Sequence, residues 1–336
     1  MPQEVTSQYK EIMKKYLDSQ SEEDLYVGQQ FSRRFIEKEI APEDVISIHK
    51  TALFELHPDL RKQVWDSLDF LIEMMIHYGL TLREHQSLVR KQEAIQMEMN
   101  VATKVQDTLL KTVEPDVQGL DVGWISQPAK QMNGDYIYFL NQENASSVAV
   151  ADVIGKGIPA ALCMSMIKFG MDGLQNENSS PENVLGIINR IVEKSVDDSM
   201  FISMFYGKYN SDTSAFSYAS AGHEPALHFS SATDTFTELD AKGLLLGVKR
   251  DAKYEERSIL LEEGDFVVMM TDGVTESRTE IGFIEMSTIQ QLLASKKEES
   301  AQQIADYVYS ELGRMQNYRL SDDFTIVIFK KKADKV

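Results

Sequence analysis

Apolar residues follow a helical period through the first third of the chain and a strand-like pattern after it. Val5, Tyr9, Ile12, Met13, Tyr16 and Leu17 fall on one face of a first helix. A second starts at Ser21–Asp24, with acidic residues in its first turn, and carries Leu25, Gly28, Phe31 and Phe35 on one side. Pro42 opens a third, striped by Val45, Ile48, Ala52, Leu53 and Leu56. Proline is tolerated there because the first helical N–H has no intrahelical partner anyway. His57-Pro58 closes that helix, since proline inside it would clash with the preceding turn. Val64, Leu68, Leu71, Ile72, Met75 and Ile76 line a fourth. Four amphipathic helices with short connections predict an all-α helical bundle over residues 1–82.

Residues 83–112 contain neither glycine nor proline. Leu88, Ile95, Ala102 and Leu109 recur every seven residues, with Gln92, Met99 and Gln106 at the alternating positions. That spacing predicts a coiled-coil linker helix, and hence a homodimer, with a seam weakened by its glutamines. A weak seam is an element that a partner can bias. The same residues also fit a solvated helix joining two domains.

After Pro115 the pattern turns strand-rich. Asp121–Ser126 alternates, Tyr136–Leu140 is β-prone, and Ser146–Ala151 is an apolar run ending at Asp152. Residues 158–174 and 181–194 read as helices, and 200–209 and 216–219 as strands. Phe266–Thr271 is a buried strand ending at Asp272, 301–312 is a helix, and Phe324–Phe329 is a last strand. Helices set between groups of strands predict a layered α+β domain over 113–332, the third part of a multi-domain chain.

The chain has 336 residues and a formal net charge of −19. Without a basic patch on that background, nucleic acid is not an expected partner. The single cysteine, Cys163, fits a reducing compartment, and the N-terminus lacks the apolar core of a secretory signal. The densest apolar run, Leu68–Leu82, is broken by Asp69, Glu73, His77 and Gly79, so no membrane span is expected. The expected location is cytoplasmic. No G-x-S-x-G, P-loop or G-x-G-x-x-G occurs.

Four acidic motifs carry the chemistry: Gly134-Asp135, Asp152-Val-Ile-Gly-Lys-Gly157, Thr271-Asp272-Gly273 and Asp322-Asp323-Phe-Thr325. Each puts an aspartate where an apolar strand begins or ends. Carboxylates gathered by a sheet make an oxygen-only site of the kind Mg²⁺ or Mn²⁺ prefers. Two such ions can clamp a phosphoryl group for in-line attack. Taken singly, each motif also fits an ordinary turn or strand entry. His223, in Ser220-Ala-Gly-His-Glu-Pro225, reads as a structural turn residue or a ligand, with no zinc spacing around it. Cys163 shares a helix face with Ala160, Met164 and Ile167 and reads as a packed small hydrophobe.

In their order, these motifs together with Ala219–Pro225 resemble the metal-dependent PPM (PP2C-type) serine/threonine phosphatases, closest to their bacterial stress and sporulation branch. The segments Phe31–Ile40, Ile46–His49 and Ser67–Glu73 resemble the partner-binding helical domain found in that branch. The resemblance implies a β-sandwich flanked by helices and a site for two Mn²⁺ or Mg²⁺. Asp152 would bridge the ions, joined by the Val153 carbonyl, Asp135, Asp272 and one of Asp322 and Asp323, with Asp322 the better match. It implies hydrolysis without a covalent phosphoenzyme. The implied substrate is a phosphorylated anti-anti-sigma protein of the sigma-B general stress response. The implied activator is a switch kinase-like protein bound at the helical domain. Two other readings are a phosphatase of a different pathway and a non-catalytic dimeric binding module. Two features depart from the wider family. Ile154 takes the place of a histidine, and no arginine lies between Val113 and Asp135, which leaves Lys130 and Lys156 as candidate phosphate anchors.

Overall fold

The computed structural model describes residues 3–38, 40–113, 115, 117, 119–142, 144–154, 158–175, 179–195, 200–279 and 282–332. Contacts divide the chain into two units, 1–97 and 98–336.

The first unit is helical. It contains α1 (Gln3–Ser19), α2 (Glu22–Glu37), α3 (Pro42–Leu56) and most of α4 (Lys62–Leu109). Ser21 accepts the Asp24 N–H at 3.2 Å, satisfying one of the free donors at the start of α2. The predicted stripes meet in a core of Val5, Phe31, Phe35 and Ile48, with Tyr9, Ile12 and Val45 packed around it. Phe31 and Phe35 pack edge to face at 5.4 Å. The fourth bundle helix and the linker are one helix. No proline interrupts it, and Gly79, its one glycine, costs only about 1 kcal/mol of helix propensity. On α4, Leu88 and Ile95 are 58% and 62% exposed, so that seam is bare in a single chain.

The second unit is built around two antiparallel sheets. Its strands and helices, in chain order, are β1 (Leu120–Gln127), β2 (Asp135–Gln142), β3 (Ala145–Ile154), α5 (Ile158–Asp172), α6 (Pro181–Ser195), β4 (Phe201–Asn210) and β5 (Ala215–Ala221). There follow β6 (Ala226–Ser230), β7 (Thr235–Leu239), β8 (Arg257–Leu260), β9 (Phe266–Met270), α7 (Asp272–Thr275), β10 (Arg278–Thr279) and β11 (Gly282–Phe283). Last come α8 (Met286–Ser295), α9 (Ala301–Met315) and β12 (Phe324–Lys331). One sheet has the order β1-β12-β9-β6-β7 and the other β2-β3-β4-β5-β8.

The period of two explains the layering. In β3, Val148 and Val150 face the core shared with Phe205, Phe216, Val267 and Phe329 of both sheets. Ala149, Ala151 and Val153 point the other way, against Met164, Ile167, Leu185 and Ile188 of α5 and α6. On the far side, Val268, Ile326 and Ile328 pack on Ile289 of α8 and Ile304 and Val308 of α9. The result is a helix–sheet–sheet–helix sandwich. Strands buried on both faces read as continuous apolar runs. At the middle of the sandwich, a Cβ on Gly207 would lie 2.3 Å from the Phe216 ring, so glycine is what lets that ring sit flat on β4.

Candidate metal centre

The register of β2 and β3 sets Asp135 directly opposite Asp152. In the other sheet, β9 ends at Met270 and pairs with the start of β12, where Ile326 faces Met270. Asp272 and the Asp322-Asp323 pair therefore leave that sheet at the same end as each other. Side-chain hydrogen bonds tie the two sheet ends together. Thr271 donates to an Asp135 carboxylate oxygen at 2.7 Å, and the Thr325 N–H donates to the Thr271 hydroxyl at 3.2 Å. The two oxygens of Asp323 accept the N–H groups of Ala129 and Gly134, at 2.7 and 2.5 Å.

Gly134 marks the point of convergence. A Cβ there would lie 3.0 Å from an Asp323 oxygen, 3.7 Å from an Asp152 oxygen and 3.9 Å from the Val153 carbonyl oxygen. Gly273 is pinned in the same way, since its Cβ would meet the Asp323 carbonyl at 2.0 Å. A Cβ at Gly134 would crowd the Asp323 carboxylate, and one at Gly273 would clash with the Asp323 main chain.

Asp135 is buried, and its carboxyl is held well above the usual range. Burial is the main cause, the Asp152 and Asp323 charges add to it, and hydrogen bonds from Thr325 and Thr271 oppose it. This is the electrostatics of an oxygen-only cluster whose like charges a cation would relieve. Asp152, Asp272 and Asp322 keep partial exposure, whereas Asp323 is buried. Among the described residues no three acidic, histidine or cysteine side chains come within reach of one ion as they stand. The donor set and the Gly134 cradle fit a hard divalent cation. Gly155, Lys156 and Gly157 of the second motif lie outside the described residues.

Beneath the acids, a hydrogen-bond chain runs through Asn133 and Ser126, which lie outside the acidic motifs. The Asp135 N–H donates to the Asn133 side chain at 3.0 Å, and Asn133 donates to Ser126 at 2.7 Å. Thr325 reaches the same serine at 3.3 Å. Gln106, from α4, is buried and engages the Asn133 main chain. Thr271 and Thr325 belong to two of the acidic motifs, whereas Asn133 and Ser126 carry no such signal.

His223 is buried between β4 and β9. Its Nδ1 hydrogen-bonds Ser203, the cross-strand partner of Asp152, at 2.7 Å, while Nε2 lacks a well-formed bond. Burial lowers its pKa to about 4, which the Met270 main chain only partly offsets. The ring is enclosed and held in its neutral form at neutral pH. Cys163 is buried and its thiol is pushed up to about 11, so it is no nucleophile at neutral pH. Lys130 is exposed, and Lys156 lies outside the described residues. No helix among the described residues is long and apolar enough to cross a membrane.

A two-sheet sandwich flanked by helices, with aspartates from both sheets at one end, is the architecture of the PP2C-type phosphatases, a metal-dependent class. The family model of stage II sporulation protein E (SpoIIE) matches residues 142–332, and that of the N-terminal domain of phosphoserine phosphatase RsbU matches residues 7–81. Phosphoserine phosphatase RsbU of Bacillus subtilis (strain 168) is 48% identical over 329 residues, 98% of each chain. Among solved structures, the SiaA PP2C domain of Pseudomonas aeruginosa superposes with a TM-score of 0.62 at 18% identity, covering 71% of this chain and 98% of that one. The RsbU and RsbW domains of a Mycobacterium tuberculosis protein give 0.59 at 23% identity, covering 68% and 63%. This chain belongs to the RsbU family of PP2C-type phosphoserine phosphatases.

Proposed function

We propose that Asp135, Asp152, Asp272 and Asp322, with the Val153 carbonyl, hold two divalent ions, Mn²⁺ or Mg²⁺, with Asp152 between them. The observation that supports this is the Gly134 cradle, where Asp152, the Val153 carbonyl and Asp323, the neighbour of Asp322 just before β12, close on one point. Bound there, the ions supply Lewis acidity toward a phosphoryl group and acidify a water. The chain's own residues fix the donors. Thr271 and Thr325 aim the Asp135 carboxylate, and Asp323 spends both oxygens on main-chain N–H groups. These two bonds support a role for Asp323 in holding the 129–134 segment and favour Asp322 as the ligand.

The substrate on this reading is the phosphoserine form of an anti-anti-sigma protein, whose dephosphorylation activates sigma-B. The activator is a switch kinase-like protein bound to the helical domain, and α4 joins two copies into a cytoplasmic homodimer. Similarity to RsbU along both halves of the chain supports this assignment. The bare Leu88 and Ile95 on α4 support the dimer. The test is phosphate release from the phosphorylated anti-anti-sigma protein during a manganese titration, with and without the kinase-like protein. Metal-dependent release that the partner accelerates is expected. Release that ignores both metal and partner would overturn the reading.

A further inference from the structure

Residues 240–256 join β7 to β8, and both strand ends lie at the acid-bearing end of the sandwich. β7 ends opposite Ala226, just after His223, and β8 starts opposite Tyr218, near the end of β5. Within this segment Leu246 forms a bridge to Ile202 at the start of β4, beside Ser203 and so beside Asp152. The loop is held rigidly. Asn189 of α6 is fully buried and donates to the carbonyls of Lys249 and Arg250, at 2.9 and 3.0 Å. Its side-chain oxygen accepts the Gly247 N–H at 2.9 Å. Gly243 packs so close to β5 that a Cβ would lie 2.1 Å from the Ser220 carbonyl.

A loop fixed this firmly nonetheless presents apolar side chains to water. Leu244 is 50% exposed and Val248 48% exposed. Around them stand Lys242, Lys249, Arg250 and Lys253, all exposed, with Asp251 the one acid from 242 to 253. From 242 to 253 that is an excess of three positive charges (four basic residues less one acidic) in a chain of net charge −19, and the balancing acids Asp240, Glu255 and Glu256 lie at the two ends of the segment. Among the described residues, no carboxylate lies within ion-pair distance of Lys249, Arg250 or Lys253.

We infer that the 242–253 loop is the docking surface for the phosphoprotein substrate, taking an acidic segment with an apolar side chain beside the phosphoserine. The inference rests on the phosphatase reading and extends it to substrate selection. Leu244 and Val248 bury apolar area on the partner, while the cations complement its acids and steer encounter. Asn189 pre-organises the loop, so little ordering entropy is lost on binding.

The test uses the full chain with Mn²⁺ and three substrates: the phosphorylated anti-anti-sigma protein, phosphocasein and p-nitrophenyl phosphate. A Lys249→Glu/Arg250→Glu double variant and a Val248→Asp variant should each raise KM for phosphoprotein by about tenfold. The kcat on phosphoprotein and all constants for p-nitrophenyl phosphate should stay within about twofold, and the charge-reversal variant should lose most of its salt sensitivity. Unchanged phosphoprotein KM overturns the inference, and so does an equal loss on the small ester, which would make the loop merely structural. Wild-type enzyme active on phosphocasein but inert on the anti-anti-sigma protein sinks that substrate assignment, while the casein arm still decides the docking role. Turnover of the small ester alone overturns both.

Discussion

The Gln106 side chain makes a two-point amide pair with the main chain of Asn133. Its Nε2 donates to the Asn133 carbonyl at 2.9 Å, and its Oε1 accepts the Asn133 N–H at 3.3 Å. The heptad spacing predicts Gln106 for a coiled-coil seam, but the helix turns it inward, 5% exposed, beside Met164 of α5. Asn133 in turn accepts the Asp135 N–H, so α4 is linked to a proposed metal ligand through one residue.

Gln106→Leu should therefore weaken metal use, although the same change would strengthen a coiled-coil seam. It removes both bonds that the half-buried main chain of Asn133 makes to α4, a cost of about 1 kcal/mol or more. Half-saturation by Mn²⁺, read from p-nitrophenyl phosphate hydrolysis, should rise severalfold. Gln92→Leu, on an exposed part of α4, should not share this effect. A Gln106→Leu variant with higher basal activity would restore the seam reading.

The strands bearing acids were legible in the sequence because buried runs such as Val148–Ala151 and Phe266–Met270 stop abruptly at a charge. The polar edge strands β7 and β8, largely exposed, carry no such contrast and escape a hydrophobicity reading. The short helix α8 was missed as well. In the site, charge named the aspartates. Thr271, Thr325, Asn133 and Gln106 act by hydrogen bonds across distant segments, and no local pattern announces a contact such as Thr271 to Asp135, 136 residues apart.

Asp152→Asn should abolish most turnover while the fold survives. The change removes one charge from opposite Asp135, a repulsion the folded chain bears without metal, so thermal stability without metal should not fall. Loss of turnover by orders of magnitude at saturating Mn²⁺, with an unchanged circular dichroism spectrum, is the expected pair of results. Near-normal turnover would remove Asp152 from the site.

His223 should contribute to the loss of stability on the acid side, against the opposite effect of the raised Asp135 carboxyl. Its folded pKa is about 4 against an ordinary 6.5, so the unfolded chain binds its proton first as pH falls. The stabilisation is complete above pH 6.5 and is lost progressively down to pH 4, and that shift corresponds to about 3 kcal/mol. Urea midpoints at neutral pH and near pH 5 should differ less in His223→Gln than in the wild type. An equal difference in both would assign the acid limb elsewhere.

Two N-terminal truncations separate the roles of the helices. A fragment from Glu98 keeps the second unit whole, including Gln106, whereas one from Gly119 keeps every aspartate motif but loses the Gln106 clip. Both lack residues 1–82, which hold an aromatic core but none of the acidic motifs. Neither fragment should respond to the kinase-like activator, because the surface proposed to read it is gone. The longer fragment should hydrolyse p-nitrophenyl phosphate with near-native dependence on Mn²⁺. The shorter should need severalfold more metal, since Asn133 and with it the Asp135 N–H are then held only from the sandwich side. Equal metal dependence in the two fragments would deny Gln106 any part in positioning the site. Saturable, severalfold activation of either fragment by the partner would place the docking surface on the phosphatase domain and overturn the division of labour between bundle and sandwich.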